Sequence, residues 1–195
     1  MKYLSIDLEA TGLEENAYII EFAAVPVDTE TQLIDTKNSF HTFIKCPSFE
    51  ELKPNLNDWV IKNNEELIRK ASSTGDDIDH FKFRLLDYLN SEPLKGFRDI
   101  KFGNFTILGK SLNSIDIPFL NRDIGWDSMK TLFHHQVLDV SSIARLAIDL
   151  KKIPEECASG SKLSSYLGFG EIAHTALEDA VLTSKIYFKL MELLN

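Results

Sequence analysis

Lys2-Tyr3-Leu4-Ser5-Ile6-Asp7-Leu8-Glu9-Ala10-Thr11-Gly12-Leu13 decides how the rest of the chain is read. Tyr3 to Leu8 is an apolar, β-prone run closed by a glycine turn, and it predicts a buried strand. Side chains alternate faces along a strand, so Asp7 and Glu9 stand on one face at its end. Neighbouring carboxylates repel each other, and burial strips their hydration. A divalent cation relieves both penalties. Thr11-Gly12 then turns the chain and brings backbone N–H groups near whatever that cation holds. An Asp-x-Glu standing alone is more often a solvated surface pair, so the rest of the sequence has to decide.

The chain of 195 residues, 44% apolar, suits one domain over residues 1–195 with a full core. No apolar run approaches the roughly 20 residues that span a bilayer, so no membrane partner is expected. Lys2 leads straight into the first strand, which does not resemble a signal peptide. Cys46 and Cys157 lie far apart without metal-ligand spacing and read as reduced thiols, so a cytoplasmic location is expected. The formal charge of −9 argues against broad electrostatic capture of long nucleic acid.

Outward from the first strand, Ala17 to Val27 predicts a second strand and Leu33 to Ile44 a third, joined by the turn Asp28-Thr29-Glu30-Thr31. Three strands with short connections imply an antiparallel meander. Pro47 to Asn57 reads as a loop. The period then changes: Asn57 to Ala71 predicts a helix with a polar patch at Asn63/Asn64, and Asp76 to Leu89 a second helix. Pro93 to Lys101 reads as irregular. Asn104 to Gly109 and Gln136 to Val140 predict two more strands. Helices are expected over Ser114 to Arg122, Ser141 to Leu150, Ser161 to Leu167 and Thr175 to Leu194. The pattern is an α/β domain with a mixed sheet.

Two later stretches carry chemistry. In Gly109-Lys110-Ser111-Leu112-Asn113-Ser114-Ile115-Asp116, a strand enters a loop and Asp116 falls in the first turn of the next helix. An acid there also favours the helix dipole, which is a purely structural reading. In His174-Thr175-Ala176-Leu177-Glu178-Asp179, Thr175 and Glu178 form a capping-box pattern, placing Thr175 at the helix N-cap. His174 then precedes the cap, and Asp179 lies one turn in. A lone His there is usually a partner of the cap. Together the chain offers Asp7, Glu9, Asp116 and Asp179 as carboxylates and His174 as a base. Four converging carboxylates are strongly unfavourable without metal; with two Mg²⁺ or Mn²⁺ they form a clamp for phosphoryl transfer. An imidazole, with its ordinary pKa near 6.5, suits taking a proton from water.

Asp7-Leu8-Glu9-Ala10-Thr11-Gly12-Leu13, then Asp116-Ile117-Pro118-Phe119-Leu120, then His174-x4-Asp179, resemble in order and spacing the three motifs of the DEDDh (DnaQ-like) 3′→5′ exonucleases. These include oligoribonuclease, ribonuclease T and the proofreading subunit of bacterial DNA polymerase III. The resemblance implies an RNase H-like fold, a five-stranded sheet of order 3-2-1-4-5 with strand 2 antiparallel. It implies that Asp7, Glu9, Asp116 and Asp179 hold two divalent cations, Mg²⁺ or Mn²⁺, and that His174 is the general base. The backbone of Ala10 and Thr11 would take the 3′-terminal hydroxyl, and Leu13 would wedge against the last base. Many members place a His-Asn or Asn-Ser pair four to six residues before the Asp. Here Gly109-Lys110-Ser111 lies one residue further away and Asn113 closer in, leaving Lys110, Ser111 and Asn113 as candidates for sugar or phosphate contact.

The implied activity is release of nucleoside 5′-monophosphates from single-stranded DNA or RNA 3′ ends. The acidic balance leans toward short oligonucleotides or a polymerase partner. The competing class is a non-catalytic nucleic-acid or polymerase-binding module that kept the fold, and a further rival is an RNase H-type endonuclease. A homodimer through Met191 or the Phe residues near Arg98 is also consistent with the family. His134-His135 is expected at the surface, and His41 and His80 as unremarkable. Asp139 is expected to cap the next helix through Ser141-Ser142. Lys62, Arg122, Lys130 and Lys162 read as solvated charges or phosphate contacts. Glu21, mid-strand among apolar residues, stands out: either it hydrogen-bonds near the site or its sheet face is other than the one assigned.

Overall fold

The computed structural model describes residues 1–99, 101, 103–170 and 174–195. The first strand, β1 (Lys2–Ala10), pairs antiparallel with β2 (Ile19–Asp28) and parallel with β5 (Ile107–Gly109). β5 in turn pairs parallel with β6 (Leu138–Asp139). On the other side, β3 (Leu33–Ile34) and β4 (Phe40–Phe43) both pair antiparallel with β2. The order is therefore the expected one, with the outer strand in two pieces and six strands where five were expected.

The split has a local cause. β2 bonds β3 at Val27 and Asp28 and β4 at Glu21 to Ala24, which leaves Val25 and Pro26 opposite the break. Pro26 has no N–H to give a ladder on that strand. Opposite it, Asp35 accepts from Asn38 N and Nδ2 and folds Thr36–Asn38 into a 3₁₀ turn.

Alternation along β1 sorts the two faces. Leu4, Ile6 and Leu8 pack with Phe22, Phe40, Phe81 and Leu85 on one side. The odd-numbered residues face the other: Tyr3 joins Val140, Ile186 and Leu190, and Ser5 Oγ donates to Ala180 O at 2.8 Å. α3 (Ile78–Asn90), α4 (Asp116–Asp123) and α5 (Trp126–Leu132) supply the first core, and α6 (Val140–Asp149) and α8 (Ala176–Leu194) the second. A third cluster sets Ile20 against α1 (Phe49–Leu52) and α2 (Asp58–Thr74). α7 (Gly160–Tyr166) lies between β6 and α8 in sequence and buries Leu163 in the second core.

Several expectations are corrected. The Pro47–Asn57 loop contains α1, closed by a Ser48/Glu51 capping box, and a 3₁₀ turn over Lys53–Asn55. α5, whose N-cap is Gly125 with a φ of 101° that suits a glycine, was not expected. The stretch from Pro93 is largely a 3₁₀ helix over Glu92–Phe97; Ile100 and Phe102 lie outside the described residues. His134 is buried, its Nδ1 accepting Gln136 N at 3.1 Å, while His135 beside it is exposed. Arg122 donates to Glu15 O and Ala17 O and pairs with Asp123, so it closes a loop. Met191 and Phe97 pack partly against their own cores. Among the described residues no helix is long and apolar enough to cross a membrane.

Candidate active site

The end of β1 faces the start of α8. Glu9, His174 and Asp179 present ligand atoms that all lie within 4.8 Å of one another. Asp7 stands on the same face of β1 as Glu9. Asp116 opens α4 with its side chain buried. A register shift between Glu9 and Ala10 ends regular pairing at this point, a device common beside active sites.

The electrostatics record the crowding. Burial, then the charges of Asp116, Asp179 and Glu9, hold the Asp7 carboxyl well above its ordinary range. Burial and the Asp179 and Glu21 charges push Glu9 up to about 7, against a hydrogen bond from the Asn64 side chain. Burial takes Asp116 to about 7 against hydrogen bonds from its own backbone and that of Leu8. Asp179 is raised mainly by burial, against Lys110 and His174. Asp179 Oδ1 is buried with no hydrogen-bond partner, although Oδ1 is a strong acceptor. A buried set of carboxylates that repel one another, with an orphaned oxygen and an imidazole alongside, fits a hard divalent cation.

His174 adopts φ 54°, a left-handed conformation rare outside glycine, and its ring meets Trp59 edge-on at 5.7 Å between centroids. Thr175 is the N-cap of α8 as expected, but its Oγ1 bonds Glu178 Oε2 at 2.6 Å and caps no backbone group. The first N–H of α8 is taken by Glu21 instead: Ala176 N donates to Glu21 Oε2 at 3.0 Å. Glu21 Oε1 lies 2.5 Å from His41 Nε2, so His41 is part of this support.

The candidate substrate residues divide. Leu13 is exposed. Thr11 N already donates to Tyr18 O at 2.9 Å, and Ala10 O accepts from Asn64 Nδ2 at 3.2 Å. A 3′-terminal contact from these backbone groups therefore competes with bonds in place. Asp139 caps α6 through Ser141 N at 2.8 Å, and also accepts from Ser111 N and Leu112 N at 3.1 and 2.9 Å. Leu112 folds back so tightly that a Cβ on Gly109 would lie 2.2 Å from its Cδ2, so any side chain there would displace Leu112. The Lys110 charge acts to lower the carboxyls of Asp7, Asp116 and Asp179 against the effect of burial. Ser111 and Asn113 are exposed beside it.

Sequence reasoning passed over Asn64, His41 and Trp59. The Asn63/Asn64 patch on the apolar face of a helix was the available signal for Asn64, which is buried against the site. Nothing local pointed to the other two.

The fold is a mixed α/β sheet flanked by helices, with the acids gathered at the end of its central strand. The RNase T exonuclease family model matches residues 4–81. In its motifs and its fold the chain resembles the DEDDh 3′→5′ exonucleases. Cell-death related nuclease 4 superposes with a TM-score of 0.72 at 17% identity, covering 98% of this chain and 64% of that one. This chain thus spans just under two thirds of that protein. The nuclease domain of 3′hExo, a DEDDh family member bound to rAMP, gives 0.68 at 18% identity, covering 98% and 92%. Exonuclease I of E. coli, in complex with a dT13 oligonucleotide, gives 0.61 at 14%, covering 96% and 40%. No curated protein matches the chain in sequence.

Proposed function

We propose that the chain is a metal-dependent 3′→5′ exonuclease that releases nucleoside 5′-monophosphates from single-stranded DNA or RNA. The observation that carries this reading is the juxtaposition of Glu9, His174 and Asp179 within 4.8 Å, with Asp7 and Asp116 adding their charge to the same pocket. Asp7, Glu9, Asp116 and Asp179 would hold two divalent cations, Mg²⁺ or Mn²⁺. Bound there, such ions neutralise the phosphate and stabilise charge on the attacking and leaving oxygens. His174 accepts the proton of the attacking water. The water oxygen bonds to phosphorus, the P–O3′ bond breaks, and the departing 3′ oxygen takes a proton from solvent. Lys110 sets a cation beside the phosphate. Leu13 flanks the terminal base and Trp59 braces the His174 ring, with Ala10 and Thr11 behind the sugar and Ser111 and Asn113 on the strand beyond.

A binding module that kept the fold would need neither the orphaned carboxylate oxygen nor the imidazole beside it. The test is degradation of matched DNA and RNA strands with and without Mg²⁺ or Mn²⁺. Metal-dependent release of 5′-mononucleotides from a free 3′ end, stopped by a 3′-phosphate, is the expected result. Internal cuts in the blocked strand point to an endonuclease, and no cleavage points to the binding module. Loss of activity in Asp7→Ala, with the fold retained, ties cleavage to this pocket.

A further inference from the structure

The chain carries −9 overall, yet Lys110, Arg145, Lys151 and Lys152 form no ion pair among the described residues. Arg69, Arg84 and Arg122 are paired with carboxylates, and Arg98 is bonded to Leu89 O, Asn90 and Gly103 O. Among the described residues Arg145, on the exposed side of α6, makes no hydrogen bond or ion pair. It lines a cleft with Lys110, Ser111 and Ser141. Past Arg145 a second cleft continues along Lys151, Lys152 and the half-exposed Tyr166.

The two clefts are lined by four cations, Lys110, Arg145, Lys151 and Lys152, against three acids, Asp139, Asp149 and Glu155. Asp139 lines the first cleft, but both its oxygens are occupied by the backbone N–H groups of Ser111, Leu112 and Ser141. Asp149 and Glu155 line the second cleft and form no ion pair with Arg145, Lys151 or Lys152. The Lys110 side chain lies along Gly160, its Nζ 3.4 Å from where a Cβ would stand. Lys110 also ties the cleft to the acidic pocket: β5 runs parallel beside β1 with Leu108 opposite Ser5, so Lys110 follows β5 at the end of β1 that carries Asp7. Free cations in a row, hydroxyls between them and an aromatic face at the far end are what a single strand needs: charge for the phosphates and a platform for a base.

We propose that Lys110, Ser111, Ser141 and Arg145, continued by Lys152 and Tyr166, form a track for the phosphodiester backbone on the 5′ side of the scissile bond. This rests on the nuclease reading above for its polarity, with the 3′ end in the acidic pocket. The track makes affinity depend on strand length. A dinucleotide reaches Lys110 and Ser111, and a longer strand also reaches Arg145 and Lys152.

The test compares the full chain with Arg145→Ala and Arg145→Lys on a dinucleotide and a 12-nucleotide strand of the same composition. The expected result for R145A is a KM raised about tenfold on the 12-mer with kcat held, a KM changed less than about twofold on the dinucleotide, and recovery in R145K. Equal losses on both substrates, or none on either, overturn the track. If the unaltered chain releases no mononucleotide, the nuclease reading falls separately. Fluorescence anisotropy of a labelled 12-mer in chelator then decides the track: R145A has to flatten the salt dependence of log K by about 0.7, the share of one phosphate contact on a single strand. An unchanged slope overturns it.

Discussion

Glu21 Oε2 accepts the Ala176 N–H at 3.0 Å, joining residues 155 positions apart. Glu21 is 1% exposed, and its other oxygen is held by His41. A buried carboxyl group in mid-strand thereby becomes the cap of the helix that carries Asp179 and follows His174. Replacing Glu21 by Ala leaves the Ala176 N–H and His41 without their acceptor. The expected cost is about 1–3 kcal/mol, the penalty for a buried polar group left unpaired. Glu21→Gln keeps an acceptor for the N–H and should retain most of the stability and turnover. Urea melts and kcat for the two variants check this; an Ala variant equal to the parent in both removes Glu21 from the support of the site.

Stability should depend on pH and metal in a linked way. Glu9 and Asp116 are raised to about 7, and Asp7 and Asp179 are raised too. In the unfolded chain all four titrate near 4. Between about pH 4 and 7 the folded state therefore binds more protons than the unfolded state, and stability falls as pH rises. Without divalent ions, Tm should be lower at pH 8 than at pH 5.5. Added Mg²⁺ or Mn²⁺ should raise Tm strongly at pH 8 and weakly at pH 5.5, where protons compete for the same oxygens. A Tm insensitive to metal at pH 8 counts against the metal site.

How much of this was legible in the sequence follows from distance along the chain. Alternation placed Asp7 and Glu9 on one face, and the structure puts Tyr3 and Ser5 of that face against α8 and its neighbours. The Pro26 break was present in the letters, but its effect falls on the neighbouring strand, where no local pattern shows it. The Thr175/Glu178 pattern located the N-cap correctly and misassigned its bonds, because the group that takes the helix N–H sits on β2. His41 and Trp59 were unreadable for the same reason: their partners arrive only with tertiary packing. β6 contributes two residues, its role fixed by Asp139 fastening the Lys110 loop.

Asp179→Asn separates function from stability. The substitution keeps shape and removes one charge from a buried, mutually repelling set. Metal-free stability should rise, as expected where a site is kept at the fold's expense. Activity should fall by at least about 100-fold, since residues merely behind a metal's ligands already cost 10–100-fold. Thermal melts with and without Mn²⁺ check both halves: the parent should gain stability from the ion and the variant should not. A variant that melts earlier than the parent without metal contradicts the repulsion argument.

Trp59 and His174 should differ sharply in what their loss costs. The indole meets the imidazole edge-on at 5.7 Å and is itself 52% exposed. Such a contact contributes about 0.5–1.5 kcal/mol. If its whole value went into orienting His174, Trp59→Ala would slow turnover by at most about tenfold. Loss of a general base is larger, about 10²–10⁴ in turnover. His174→Ala should fall in that range while still gaining thermal stability from Mn²⁺, since four carboxylates remain. The double variant should be no slower than His174→Ala alone, because the indole acts on turnover through the imidazole. Additive losses in that cycle would show that Trp59 acts on the substrate independently of His174.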